Sequence, residues 1–163
     1  MNLESDIEQI VRQEDGLQLE RFDPPLAWDL GSILRRLATE RALPVVIDIR
    51  RIGQPLFYTA LEATTPDNAE WVRRKNNILA RYHRSSYRVG LEMNRRGETL
   101  EQRGLPVADY AAHGGAFPLA VRGAGLIGSA TVSGLPQRQD HELVVEALCL
   151  LIGKPYAAFR LED

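Results

Sequence analysis

AAHGGAFPLAVRGAGLIGSATVSGLPQRQDH, residues 111–141, decides the fold. Residues 116–121 form an apolar run broken only by Pro118, and residues 126–132 are small and apolar throughout. So little polarity predicts two buried strands. Arg122-Gly123-Ala124-Gly125 between them is a short connection in which glycine can take positive φ, so the two strands pair as a hairpin. His113-Gly114-Gly115 stands at one end of that hairpin and Ser133-Gly134-Leu135-Pro136 at the other. Asp140 then falls where a helix N-cap belongs, with His141 as the first helical residue before the apolar-periodic stretch 143–152.

Working outward, residues 2–14 place Leu3, Ile7, Ile10 and Val11 at helical spacing, and the helix stops near Asp15-Gly16. Leu17, Leu19 and Phe22 alternate with polar residues, which predicts a strand. Asp23-Pro24-Pro25 closes it and opens a helix over 26–41, with Ala27, Leu30, Ile33, Leu34 and Leu37 on one stripe. The β-branched run 45–49 and the run 55–61, separated by a turn at Gly53, pair as a second hairpin because too few residues intervene for a crossover. Thr65-Pro66-Asp67 caps a helix over 68–83; a shorter helix lies within 87–100, broken at Gly97, and 101–110 is loop. Helix, strand, helix, two strands, helix, loop, two strands and a final helix predict a single α+β domain, with a five-stranded, mostly antiparallel sheet flanked by helices.

At 163 residues the chain is long enough to bury a core without staples. Its 26% charged and 44% apolar content is that of an ordinary globular protein. A net charge of −2 argues against general nucleic-acid binding. Cys149 alone cannot form a disulfide or a cysteine zinc site within one chain, and its place on the apolar face of the last helix makes it a buried structural thiol. No apolar run approaches the roughly 20 residues that span a bilayer, and the N-terminus is polar and acidic, so a cytoplasmic protein without membrane partners is expected.

The candidate chemistry is sparse. Ser133, Asp140 and the histidines do not form a hydrolase pattern, since Ser133 lies outside a Gly-x-Ser-x-Gly elbow; no catalytic residue is assigned. His113, Asp140 and His141 can be drawn together by the hairpin, but they lack the spacing of a zinc helix, and no metal is assigned. Gly123-x-Gly125-x-x-Gly128 has the letters of a dinucleotide fingerprint but leads into a strand, where no helix N-terminus awaits a pyrophosphate. The run from Trp71 through Arg73, Arg74, Lys75, Arg81, Arg84 and Arg88 offers paired donors for a carboxylate or phosphate. A solvated face, which needs no ligand, is the preferred reading of the run, and a subunit contact is a third use.

Trp71-Val72-Arg73-Arg74-Lys75-x-Asn77, Ser85-Ser86, Ala112-His113-Gly114-Gly115-x-Phe117-Pro118-Leu119 and Gly128-x-x-Thr131-Val132-Ser133-Gly134-Leu135-Pro136-x-x-x-Asp140-His141 resemble an uncharacterised family grouped with the haem-degrading, HbpS/GlcG-like domains. The resemblance covers nearly the whole chain. It implies a profilin-like layering around a central antiparallel sheet and assembly into homodimers or larger homo-oligomers. It also implies haem, or another small anionic ligand, as a candidate. Side-chain chemistry and motif position together select Trp71, Arg74, Lys75, His113, Gly114, Gly115, Asp140 and His141 as ligand-binding candidates, with His113 as a possible axial ligand. An assembly or adaptor protein without a small ligand, and a haem-degrading enzyme, are the competing expectations.

Overall fold

The computed structural model describes residues 2–162. Its elements run α1 (Leu3–Gly16), α2 (Pro24–Glu40), β1 (Val46–Arg51), β2 (Gln54–Ala60), α3 (Pro66–Tyr82), α4 (Ser86–Arg96), β3 (Ala116–Val121), β4 (Gly125–Ser133) and α5 (Gln137–Ile152). The two expected hairpins, β1–β2 and β3–β4, are joined through β1 and β4 into a four-stranded sheet of order β2-β1-β4-β3. Every pairing in it is antiparallel, with Asp48 opposite Thr131 and Ala116 opposite the same residue from the other side. Pro118 is tolerated because β3 is an edge strand, where a missing N–H breaks no internal ladder.

The sheet has four strands, not five. Residues 17–22 contribute a single parallel bridge from Leu19 to Val121. They are squeezed between two helix ends: Leu17 N–H closes α1 by donating to Gln13 O at 2.9 Å, and Asp23 opens α2 by accepting from Leu26 N at 2.9 Å. Leu19 alone reaches the edge, donating to Ala120 O and accepting from Arg122 N, both at 2.8 Å. Its apolar alternation with Leu17 records burial rather than a ladder.

One face of the sheet carries Ile47, Ile49, Phe117, Leu119, Ala130 and Val132, which pack against Leu30, Leu34 and Leu37 of α2 and Val144 and Leu148 of α5. Cys149 lies in this layer, fully buried, and its thiol is pushed up to about 11 by desolvation. α3 and α4 cover the other face. α1 in turn lies on α4 through Ile7, Ile10, Tyr87 and Leu91. α4 starts afresh after α3, with Ser85 Oγ capping Arg88 N at 3.3 Å. α5 begins at Gln137, four residues earlier than Asp140 as an N-cap would place it. Asp140 is instead a first-turn residue whose carboxylate turns back to accept from Leu135 N at 2.9 Å and Gly134 N at 3.4 Å.

Candidate functional site

Successive strand residues point to opposite faces, so the residues between the apolar ones of β1 and β4 all meet α3. They are Asp48, Ser129, Thr131 and Ser133, each buried. α3 answers with polar residues on its own inner stripe. Asn76 donates to Asp48 Oδ1 at 3.2 Å and accepts from Ser129 Oγ at 2.9 Å and Thr131 Oγ1 at 2.6 Å. Arg50 clamps the same carboxylate with two bonds of 2.7 Å. Asp48, Asn76, Ser129 and Thr131 are thus all hydrogen-bonded, as buried polar groups must be if they are not to cost stability.

One residue earlier on α3, Lys75 enters the same layer. Its Nζ donates to Asp140 Oδ2 at 2.8 Å and to Val132 O at 3.1 Å, with only 4% and 2% of the two side chains exposed. Burial pushes both toward their neutral forms, the Asp140 carboxyl up and the Lys75 ammonium down, while each partner's charge pulls back toward the ion pair. The pair forms the floor of an open pocket of about 260 Å³, walled by Asp67, Trp71, His113, Ser133 and Gln137.

The Gly-Gly loop is built to pass this floor. Gly115 has φ +139°, and a Cβ there would sit 2.2 Å from Val132 O and 2.7 Å from Lys75 Nζ. A Cβ at Gly114 would sit 2.0 Å from Gln137 O. Gly115→Ala therefore combines backbone strain with a clash against main chain, and it should cost at least about 2 kcal/mol in a urea denaturation series. The loop before it is pinned to α3 by Asn77 Nδ2 donating to Asp109 O at 2.7 Å and by Ala111 N donating to Arg74 O at 3.1 Å.

These contacts bring His113 to the pocket's rim, edge-on to Trp71 with ring centroids 5.3 Å apart. His113 is exposed by overall area. Desolvation, and after it the charges of Lys75 and Arg74, nonetheless hold its pKa below the ordinary value, so the ring is neutral at neutral pH. Arg74 lies over the indole at 4.6 Å, and its Nε has no hydrogen-bond partner. Trp71 Nε1 donates to Asp67 at 3.2 Å, which fixes the ring between cation and imidazole.

Trp71, Lys75, His113 and Asp140 thus line one pocket, with Gly114 and Gly115 as its tight backing and Arg74 stacked beside it. His141 is not with them. It is fully buried on another face of α5, tilted against Tyr87 and Phe117, with Nε2 2.7 Å from Gln13 Oε1. The grouping of His113, Asp140 and His141 as one metal site therefore does not form, and no cluster of three metal-ligating side chains occurs among the described residues. Most of the basic run is spoken for by acids: Arg73 by Glu70 and Asp109, Arg84 by Glu92, and Arg88 by Glu14 and Glu92. The sequence reading missed the Asp48–Asn76–Ser129–Thr131 layer and the burial of Lys75.

Residues 22–149 match the family model described as "Haem degrading protein HbpS-like". The chain belongs to the HbpS-like family. Within it, the "UPF0303 protein" of Acidobacterium capsulatum is 57% identical over 162 residues, covering 99% of this chain and 98% of the relative. Among solved structures of similar fold, that of "Ybr137w protein" superposes with a TM-score of 0.83 at 29% identity, covering 90% of this chain and 88% of that one. "PduOC:Heme Complex" superposes with a TM-score of 0.66 at 18% identity, covering 78% and 93%, a likeness of fold alone. The HbpS-like assignment agrees with the hairpin-centred reading of residues 111–141. No helix of the described residues is long and apolar enough to cross a membrane.

Proposed function

We propose that this HbpS-like protein is a cytoplasmic, self-associating binding protein that takes a flat, carboxylate-bearing ligand at the Trp71–His113 pocket, with haem as the first candidate. The observation that carries this reading is the buried Lys75–Asp140 pair opening into a pocket with a neutral histidine on its rim. Buried ion pairs are poor sources of stability, so one placed under a pocket points to ligand recognition. Neutral imidazole is the form that ligates iron, and His113 is exposed where a planar ligand can reach it. Arg74, with an unpartnered Nε beside Trp71, is the group to meet a ligand carboxylate. Bound haem would supply a redox-active iron; the chain's part is to ligate, orient and charge-match it.

The pocket's size bears on assembly. Sites that enclose drug-sized ligands run from about 300 to 1,000 Å³. At about 260 Å³ this one receives the edge of a porphyrin, not its whole face. A second copy would have to cover the rest. β2 leaves an open sheet edge, and Trp28 and Tyr58 are 64% and 52% exposed, which supports self-association.

Titrating the purified protein with hemin, followed by its Soret band and by native mass spectrometry, tests the reading. Stoichiometric uptake that His113→Ala reduces by at least about tenfold in affinity, with the oligomer unchanged, is the expected result. A bare oligomer at every hemin concentration would overturn it in favour of the assembly protein, and a chain that is monomeric would remove the shared pocket.

A further inference from the structure

The far end of the polar layer opens to a second pocket that the haem reading leaves unused. It has a volume of about 330 Å³ and lies under the C-terminal half of α3. Leu79, Ala80, Ile52 and Leu126 form apolar walls, while Arg50, Asn76, Asn77 and Ser129 line the remaining side. Its size falls within the usual range for small-molecule sites, and a mostly apolar cleft with a few convergent polar groups is their usual composition.

The polar side is held rigid from behind. Arg50 uses Nε and Nη2 on the fully buried Asp48, and Asp48 is in turn held by Asn76. Asn76 is itself locked by Ser129 and Thr131. The guanidinium cannot swing away, yet Nη1 is not engaged by Asp48, and about a third of the side chain remains exposed. An arginine fixed in this way presents its outer N–H groups to an incoming acceptor with little ordering cost left.

We propose that this pocket is a second, separate binding site for a short aliphatic monocarboxylate. The carboxylate bonds to the outer edge of Arg50, and the hydrocarbon tail lies between Leu79, Ile52 and Leu126. A monoanion matches the charge available, since Asp48 already neutralises part of the arginine's field. An apolar tail matches the walls.

Calorimetric titration of the full chain with straight-chain carboxylates from acetate to octanoate tests this, with the corresponding alcohols as controls. Saturable binding should strengthen with chain length until the pocket is filled, and the alcohols should bind at least about tenfold more weakly. Two substitutions localise it. Arg50→Lys retains a cation for Asp48 but loses the planar fork, and it should weaken octanoate by about tenfold. Ile52→Asp lies on the exposed tip of the β1–β2 hairpin, leaves the core alone, and should weaken it similarly by placing a like charge at the mouth. Absence of saturable binding by every carboxylate, or binding indifferent to both substitutions, overturns the proposal. The titration needs no haem, so this site and the His113 pocket stand or fall separately.

Discussion

Acidification from pH 6.5 toward pH 3 should strip several kcal/mol of stability from the fold through one residue, His141. Its tautomer follows from its neighbours. Gln13 spends its side-chain N–H groups on Glu142 Oε1 at 3.1 Å and Phe159 O at 2.7 Å, so Gln13 Oε1 must face His141. His141 therefore donates from Nε2, and its buried Nδ1 is left without a partner between aromatic rings. Charging that ring would put a cation into the core, and desolvation lowers its pKa from 6.5 to about 3. Because the folded pKa is depressed, the stability is fully present above pH 6.5. It is lost as pH falls through the window down to about 3, where the unfolded chain binds a proton that the native state refuses. The slope is about 1.4 kcal/mol per pH unit, up to about 5 kcal/mol in all. Asp140 and Glu142, whose carboxyls are pushed up by burial, work in the opposite direction and offset part of it. The clean readout is a comparison with His141→Gln, which keeps a donor for Gln13 but does not titrate. Urea midpoints from pH 7 to pH 3.5 should fall more steeply for the parent chain, and parallel curves would refute the assignment.

The Lys75–Asp140 pair carries the second large effect. Removing either partner leaves the other buried and unmatched, which typically costs about 3–5 kcal/mol. Asp140→Ala adds the loss of acceptors for Leu135 N and Gly134 N, so it should sit at the upper end. Lys75→Met keeps the stem's volume and should sit lower. The double substitution Lys75→Met with Asp140→Ala should cost clearly less than the sum of the two single changes, because no lone charge remains. Additive losses in denaturant titrations would mean that the two groups do not interact in solution. If the pair is kept for ligand recognition, the double variant should lose hemin uptake while remaining folded.

The architecture was legible because hairpins and amphipathic helices leave local marks: the β-branched run before Gly53, the glycines of residues 123–125, and the stripes of α1 and α2. The extra strand at 17–22 arose because alternation reports burial, while laddering also needs free N–H groups, and the end of α1 had claimed that of Leu17. The site was half visible. Trp71, Lys75, His113 and Asp140 do converge, but His141 was grouped with Asp140 by adjacency, and neighbours on a helix point about 100° apart. Lys75 and Asn76 fall on the same buried stripe as Val72 and Leu79, and Ser129, Thr131 and Ser133 alternate along β4 beside Asp48 of β1. Reading β4 as uniformly small and apolar hid a polar face that period-two counting would have exposed. No local signal marks Gln13 as the partner of His141, since the two lie at opposite ends of the chain.

The way the sheet is joined has a kinetic consequence. Each hairpin closes over a turn of a few residues and can form on the microsecond scale by itself. The seam between β1 and β4 closes only after α3, α4 and the long loop have been brought round, and its loop-closure entropy must be met before any contact rewards it. Asp48 meets Thr131 across that seam, and Asn76 locks over it only afterwards. Until then the chain carries two preformed ribbons with open edges and uncommitted polar groups, and the rate at which they find each other sets the folding time of the whole molecule.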